Sequence, residues 1–144
     1  MDKLAIHGGT PVRETPIYYG HQYIDEFDIK AVTDVLKSDY LTCGPKIGEL
    51  EKKLCDVTGA KYAVAIANGT AALHVACLAA GVGEGDEVIT TPITFAASAN
   101  CVLYCGATPV FADINPETYN IDPDEIEKKI TDRTKAVIAA SLSP

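Results

Sequence analysis

The chain has 144 residues, with 20 acidic and 12 basic side chains, a formal net charge of −8 and 47% hydrophobic residues. Because the basic side chains are few and scattered, the composition argues against a nucleic-acid-binding surface. No apolar run is long enough to span a membrane and residues 1–14 lack the apolar core of a signal peptide, so we expect a cytoplasmic protein without nucleic-acid or membrane partners.

The cysteines are odd in number and lie mostly in apolar helical patterns: Cys43, Cys55, Cys77, Cys101 and Cys105. This usage favours reduced core residues over a disulfide framework. Cys101 and Cys105 could share a helix face, but no second pair or nearby histidine completes a zinc site, and we therefore expect no metal.

The first 24 residues combine glycine, proline and aromatic residues without periodicity, which predicts an extended amino-terminal arm over 1–24. Residues 25–144 then form the predicted domain. It opens with an amphipathic helix that begins near Asp25 and ends near Lys37, and a second amphipathic helix stops at Gly59.

The stretch from Tyr62 to Ala80 couples a predicted buried strand over 62–67 to an apolar helix over 70–80, with Gly81 placed to cap that helix. The turn between them is Asn68-Gly69-Thr70. The first N–H groups of a helix lack intrahelical partners, and a phosphate would satisfy them with help from the helix dipole and the Thr70 hydroxyl. The alternative is an ordinary helix start capped by Asn68 or Thr70.

Further strands are predicted over 87–91, 109–112 and 135–140, with helices over 95–104 and from Pro123 to about Ile130, the latter capped by Asp122. This alternation predicts an α/β layered architecture with a parallel sheet. The glycine-rich stretch 81–86 follows a helix and precedes a strand, which is the reverse of a dinucleotide-binding loop, and it argues against a dehydrogenase-like nucleotide binder.

Six segments carry a family resemblance by their order and spacing: 5–13, 41–45, 68–73, 85–89, 91–97 and 106–113. The chain resembles the DegT/DnrJ/EryC1/StrS family of pyridoxal-phosphate (PLP)-dependent sugar aminotransferases. The resemblance implies an incomplete three-layer α/β/α large domain of fold-type I PLP-dependent transferases, in a homodimer. It also implies transfer of an amino group, usually from glutamate, to a keto sugar attached to a nucleotide, in amino-sugar and surface polysaccharide biosynthesis.

The resemblance also implies cofactor-binding residues. Thr70 and Ala71 resemble the residues that bind the PLP phosphate, with Gly69 allowing its close approach. Phe95 resembles the aromatic residue that stacks on the pyridine ring, and the alternative is a core phenylalanine at a helix start.

Residues 17–24 resemble the arm of the subgroup that aminates position 4 of a UDP-linked 4-keto-6-deoxy-N-acetylhexosamine to give UDP-4-amino-4,6-dideoxy-N-acetyl-altrosamine. Tyr19, Thr42 and Gly44 are therefore candidate substrate-binding residues, or residues that only shape the arm. Asp113 reads as a turn residue rather than a catalytic acid, and His74 as a packed histidine rather than a base.

The family's Schiff-base lysine and ring-contacting carboxylate follow beyond Pro144, whereas the lysines of this chain have surface contexts. We therefore expect no catalytic residue in this chain, and an inactive fragment by itself. One alternative is a PLP-dependent sugar dehydratase of the same fold. The other is a non-catalytic domain that binds phosphate, a nucleotide or a full-length partner; the uncovered last strand also predicts self-association.

Overall fold

The computed structural model describes residues 3–18 and 20–141, and it divides into two compact units that meet between Lys53 and Leu54. The first unit contains a 3₁₀ helix over Ala5–His7, helix α1 over Glu26–Leu36, and most of helix α2 over Pro45–Thr58. The remaining described residues before Asp25 form no helix or strand.

Helix α1 begins at Asp25 with a capping box. The Asp25 carboxylate accepts the backbone N–H groups of Phe27 and Asp28, and the Asp28 carboxylate accepts the backbone N–H of Asp25. These bonds satisfy donors that the helix itself leaves unpaired. The predicted helix is therefore confirmed, and Asp25 lies outside it as its N-cap.

The second unit alternates helices and strands, in the order α3 over Gly69–Ala79, β1 over Glu87–Thr90, α4 over Ala97–Tyr104, β2 over Thr108–Phe111, α5 over Pro123–Glu127 and β3 over Thr134–Ile138. The three strands form a parallel sheet in the order β2-β1-β3. This confirms the predicted α/β architecture with a parallel sheet.

The core of the second unit lies where α3 and α4 pack together and against β1. Val88 of β1 is completely buried there with Cys77 of α3 and Cys101 and Val102 of α4. All four residues of β1 are buried, as expected of a parallel strand with neighbours on both sides. Helix α3 itself is only partly covered, since Cys77 is its one buried residue.

The carboxyl end of α3 fixes the direction in which the helix lies. Gly81 has a positive φ of 72°, and the backbone N–H of Val82 donates to the Cys77 carbonyl oxygen at 3.0 Å, which is a Schellman ending. The predicted glycine cap is thus confirmed. A Cβ at Gly81 would lie 3.8 Å from the side chain of Lys135, near the start of β3. The carboxyl end of α3 therefore lies near the start of β3.

Three predicted elements differ from the structure. Residues 62–67 form no strand of the described sheet. Helix α4 begins at Ala97 rather than at Phe95, after bends at residues 92–94. Helix α5 ends at Glu127, short of Ile130, although Asp122 caps it as predicted.

Cysteine placement also departs in part from the prediction. The five thiols are free, and Cys77 and Cys101 are buried as expected of reduced core residues. Cys43 is instead exposed, in the turn before α2, with a positive φ of 52°. The apolar neighbours of Cys43 in the sequence do not form a helix, and the turn carries its side chain into solvent.

Candidate functional site

The start of α3 offers backbone donors to a ligand. The helix begins at Gly69, so the N–H groups of Gly69 and Thr70 have no acceptor within it. Thr70 is the second residue of the helix and is half-buried. These groups, together with the helix dipole, suit an anion such as a phosphate.

Asn68 is the N-cap of α3, with extended backbone angles of φ −163° and ψ 165°. Its side-chain oxygen accepts the backbone N–H of Ala71 at 2.9 Å. In this structure the Ala71 N–H is therefore already paired. The helix start can therefore be capped by Asn68 and still offer N–H groups to a phosphate. The one N–H group that both would use is that of Ala71.

A Cβ at Gly69 would meet no atom of the described chain within 4 Å. The space beside the backbone at the helix start is therefore open, as the close approach of a ligand requires. The residues present thus fit a phosphate group by two criteria, unpaired donors and unobstructed backbone.

Phe95 lies just before α4, beyond the end of β1, and its side chain is 78% exposed. It is therefore not packed in the core of the described chain, and its stacking on a ring stays a prediction. Its neighbours enclose a cavity of about 340 Å³, formed by Ile93, Thr94, Phe95, Ala140 and Ser141. The cavity spans the carboxyl ends of β1 and β3, and a flat ring at its wall can stack on a planar ligand.

Thr94 and Ser98 place hydroxyl groups close to Phe95, and their oxygens lie 2.9 Å apart. The hydrogen bond joins the loop before α4 to the first turn of that helix, and it holds the backbone on both sides of Phe95. The sequence interpretation did not single out these hydroxyls or Ser141. The signal in the sequence was a hydroxyl residue before Phe95 and another after it, four positions apart.

Of the candidate substrate-binding residues, Tyr19 lies outside the described residues, and Thr42 and Gly44 lie in the turn before α2. Thr42 is exposed. A Cβ at Gly44 would lie 3.0 Å from the Tyr40 Cβ and 3.1 Å from the Tyr40 carbonyl oxygen, so a larger residue there would need Tyr40 to shift by a few tenths of an ångström. Gly44 also borders a cavity of about 210 Å³ with Tyr40 and Lys46 among its walls.

These positions belong to the first unit, whereas 69–71 and Phe95 belong to the second. The helix start of α3 and the Phe95 cavity therefore lie in the same compact unit.

Two polar residues that the sequence drew attention to have structural partners. Asp113 is exposed, and its carboxylate accepts the backbone N–H of Ile114 at 2.7 Å, as a turn residue would. His74 is half-buried, with its ring edge-on to Tyr104 at a centroid distance of 5.3 Å. Both contacts agree with the structural interpretation of these residues.

The strongest electrostatic feature lies at the edge of the sheet opposite the Phe95 cavity. Glu87, at the start of β1, accepts from the Thr131 hydroxyl at 2.6 Å and from Arg133, whose Nε lies 3.0 Å from the carboxylate. The hydrogen bond from Thr131 and then that from Arg133 lower the pKa of Glu87 below its ordinary value, against an opposing effect of desolvation. The network joins β1 to the start of β3 and is remote from the helix start of α3.

The described residues contain no group of three histidine, cysteine, aspartate or glutamate side chains placed to hold a metal ion. Nor does any helix in the described part of the chain combine the length and apolar character that crossing a bilayer requires.

Comparison with known proteins gives the same family from sequence and from structure. Residues 22–143 match the model of the DegT/DnrJ/EryC1/StrS aminotransferase family. The spore coat polysaccharide biosynthesis protein SpsC of Bacillus subtilis is 49% identical over 120 residues, which are 83% of this chain and 31% of that protein. A UDP-2-acetamido-2-deoxy-3-oxo-D-glucuronate aminotransferase of Pseudomonas aeruginosa is 51% identical over 108 residues, 75% of this chain and 30% of that protein.

Among solved structures, an aminotransferase from Psychrobacter cryohalolentis superimposes with a TM-score of 0.78 at 40% identity, over 83% of this chain and 31% of its own. NtdA from Bacillus subtilis, with its cofactor PMP bound, gives a TM-score of 0.72 at 40% identity, over 77% of this chain and 26% of its own.

The chain thus spans about 30% of the length of the curated relatives that it matches. Its architecture is part of a fold-type I PLP-dependent transferase domain. The chain belongs to the DegT/DnrJ/EryC1/StrS aminotransferase family.

Proposed function

We propose that this chain is the amino-terminal, cofactor-phosphate-binding part of a PLP-dependent aminotransferase that acts on a keto sugar attached to a nucleotide, with glutamate as amino donor. The observation that carries the proposal is the start of α3, where unpaired backbone donors and the Thr70 hydroxyl stand beside an open glycine. The family membership supplies the reaction class.

PLP, when bound, supplies a protonated pyridine ring that accepts electrons from the substrate carbon during amino transfer. The chain's own contribution is to bind and orient. The N–H groups of Gly69 and Thr70 and the Thr70 hydroxyl would hold the phosphate, and the phosphate would compete with Asn68 for the N–H of Ala71. Phe95 would cover one face of the ring and keep water from it.

On the substrate side, we propose Tyr19, Thr42 and Gly44, in the arm and in the turn before α2. For Gly44 the tight contact that a larger residue would make with Tyr40 favours a shaping role over direct contact. The Pseudomonas relative is named for a UDP-linked 3-oxo sugar acid, and the arm resembles enzymes that aminate position 4. What both share is a UDP-linked keto sugar, and that is the substrate class we propose.

We further propose that no residue of this chain acts as the catalytic lysine. The described lysines in ion pairs, Lys30, Lys46 and Lys128, bond to acidic side chains on the helix surface. The chain alone would then bind the cofactor without catalysing amino transfer. A homodimer in the cytoplasm is the assembly that we propose for the complete protein.

Binding of pyridoxamine phosphate (PMP) tests the proposal directly. PMP has no aldehyde and cannot label surface lysines, so calorimetric titration reports the binding site alone, and pyridoxamine without phosphate is the matched ligand. A charge-assisted hydrogen bond contributes about 1.5–3 kcal/mol, so Thr70→Val should weaken PMP binding by about 10–100-fold, whereas Thr70→Ser should retain most of it. Equal binding of PMP and pyridoxamine would contradict the phosphate site.

The remaining alternatives give different outcomes. A dehydratase of the same fold would eliminate water from the sugar and add no amino group to it, so product analysis on the complete protein separates it from an aminotransferase. A non-catalytic domain that pairs with a full-length partner would capture that partner while binding PMP no better than pyridoxamine.

A further inference from the structure

Three thiols lie together where α3 packs on α4, and the proposed function uses none of them. The Sγ atoms of Cys77 and Cys101 are 3.7 Å apart, and the two residues are 5% and 0% exposed. Cys105 follows Cys101 by one helical turn, packs against the same core cluster and is half-buried. The cluster therefore has two sheltered thiols and one that solvent reaches.

Metal binding does not account for this grouping, since no set of ligands with metal-site geometry occurs in the described part of the chain. The Cys101 thiol also donates to the Ser98 carbonyl oxygen at 3.4 Å, which orients it within α4. The chemistry open to a group of neighbouring thiols with graded exposure is oxidation.

We propose that this cluster is an oxidation site, in which a hydroperoxide reacts at Cys105 and Cys77 then closes a disulfide that joins α3 to α4. Cys105 is the entry point because it is the only member of the cluster with substantial exposure. Cys77 is the resolving thiol because it lies on the facing helix, with its Sγ 3.7 Å from that of Cys101, one helical turn before Cys105.

The disulfide would form in two steps. The Cys105 sulfur is oxidised by two electrons to a sulfenic acid while the O–O bond of the hydroperoxide breaks, releasing water or an alcohol. The Cys77 sulfur, after giving up its proton, attacks the Cys105 sulfur. An S–S bond forms, the S–O bond breaks, and the hydroxide leaves with that proton as water.

Burial raises the pKa of Cys77 to about 11, and its hydrogen bond with Cys101 acts in the same direction. Burial also raises the pKa of Cys105. Thiolates are scarce in such surroundings, so the first step is slow compared with that of an exposed, activated cysteine. The second step is favoured by the held proximity of the two sulfurs.

The test treats the protein with hydrogen peroxide, blocks residual thiols with an alkylating reagent, and maps the peptides by mass spectrometry with and without reductant. We expect a loss of two hydrogens that reductant restores, and a cross-linked peptide pair containing Cys77 and Cys105. Cys105→Ser should lose this product. Cys43→Ser, which removes an exposed thiol outside the cluster, should form it at the parent rate.

Dimedone, which traps sulfenic acids, gives an independent measurement. In Cys77→Ala the resolving thiol is gone, and we expect the dimedone adduct to accumulate on Cys105. Circular dichroism shows whether each variant is folded. If a variant is unfolded, the peptide map of the oxidised parent protein still tests the proposal. The proposal is wrong if oxidised parent protein yields no cross-link through Cys77, or if Cys105→Ser cross-links Cys77 to Cys101 as fast as the parent does.

Discussion

The side chain of Asn68 does two things that a pair of substitutions can separate. Its oxygen pairs with the Ala71 N–H at 2.9 Å and so stabilises the start of α3, and it withholds that N–H from a bound phosphate. Asn68→Ala removes the acceptor. Asn68→Asp retains an acceptor and adds a negative charge at the positive end of the helix dipole.

The two effects rank the Asn68 variants in opposite orders, one for stability and one for PMP affinity. Loss of a cap costs about 1 kcal/mol, so Asn68→Ala should lower the free energy of unfolding by about that amount and the melting temperature by roughly 2–8 °C. Asn68→Asp should be about 0.3–1 kcal/mol more stable than the parent. For PMP affinity, Asn68→Ala should equal or exceed the parent because a donor is released, and Asn68→Asp should bind more weakly because its carboxylate repels the phosphate.

Unfolding by urea, followed by far-ultraviolet circular dichroism, measures the first order, since the chain has no tryptophan to report by fluorescence. Titration with PMP measures the second. Asp25→Ala is the matched control, because it removes the cap of α1 in the other unit and should cost similar stability without changing PMP affinity. The reasoning fails if Asn68→Ala is as stable as the parent, or if Asn68→Asp binds PMP as tightly.

Three further predictions concern the second unit. The pKa of Glu87 is lowered by its bonds to Thr131 and Arg133, so these bonds stabilise the fold fully above pH 4.5, the ordinary pKa. Their contribution declines as the pH falls through the lower pKa of the folded state. Glu87→Gln should therefore remove this part of the acid dependence of the melting temperature. Val88→Ala in the core should cost about 2–3 kcal/mol in urea unfolding, from about 0.8 kcal/mol per methylene plus a cavity, whereas the half-exposed Val75→Ala should change stability by less than about 0.5 kcal/mol. Gly81→Ala should cost about 1–2 kcal/mol because of its positive φ, and an unchanged urea midpoint would contradict the Schellman ending.

Local patterns in the sequence were sufficient for most of the helices. Asp25 and Asp122 were placed correctly at helix starts, and Gly81 at the end of α3, because a cap depends on hydrogen bonds within a few residues of the chain. The same locality explains why the glycine-rich stretch 81–86 could be assigned as a connection. Asn68 was predicted as one of two caps, and its bond to Ala71 selected between them.

The sheet shows the limit of such patterns. Residues 62–67 carry the apolar run of a buried strand, yet the described sheet has no strand there. Whether a run becomes a strand depends on its register with other segments as well as on its own residues. The position of β1 between β2 and β3 likewise depends on pairings between residues far apart in the sequence. No local period contains that information.

What the sequence by itself determined is therefore the family, the alternation of helices and strands, and the identity of the turn that begins α3, because motifs, periodicity and capping residues are properties of short segments. Only the tertiary structure decided the exposure of Phe95 and the meeting of Cys77 with Cys101, which are 24 residues apart. Exposure and contact depend on which surfaces the packed elements leave open, and packing joins segments that the sequence keeps apart.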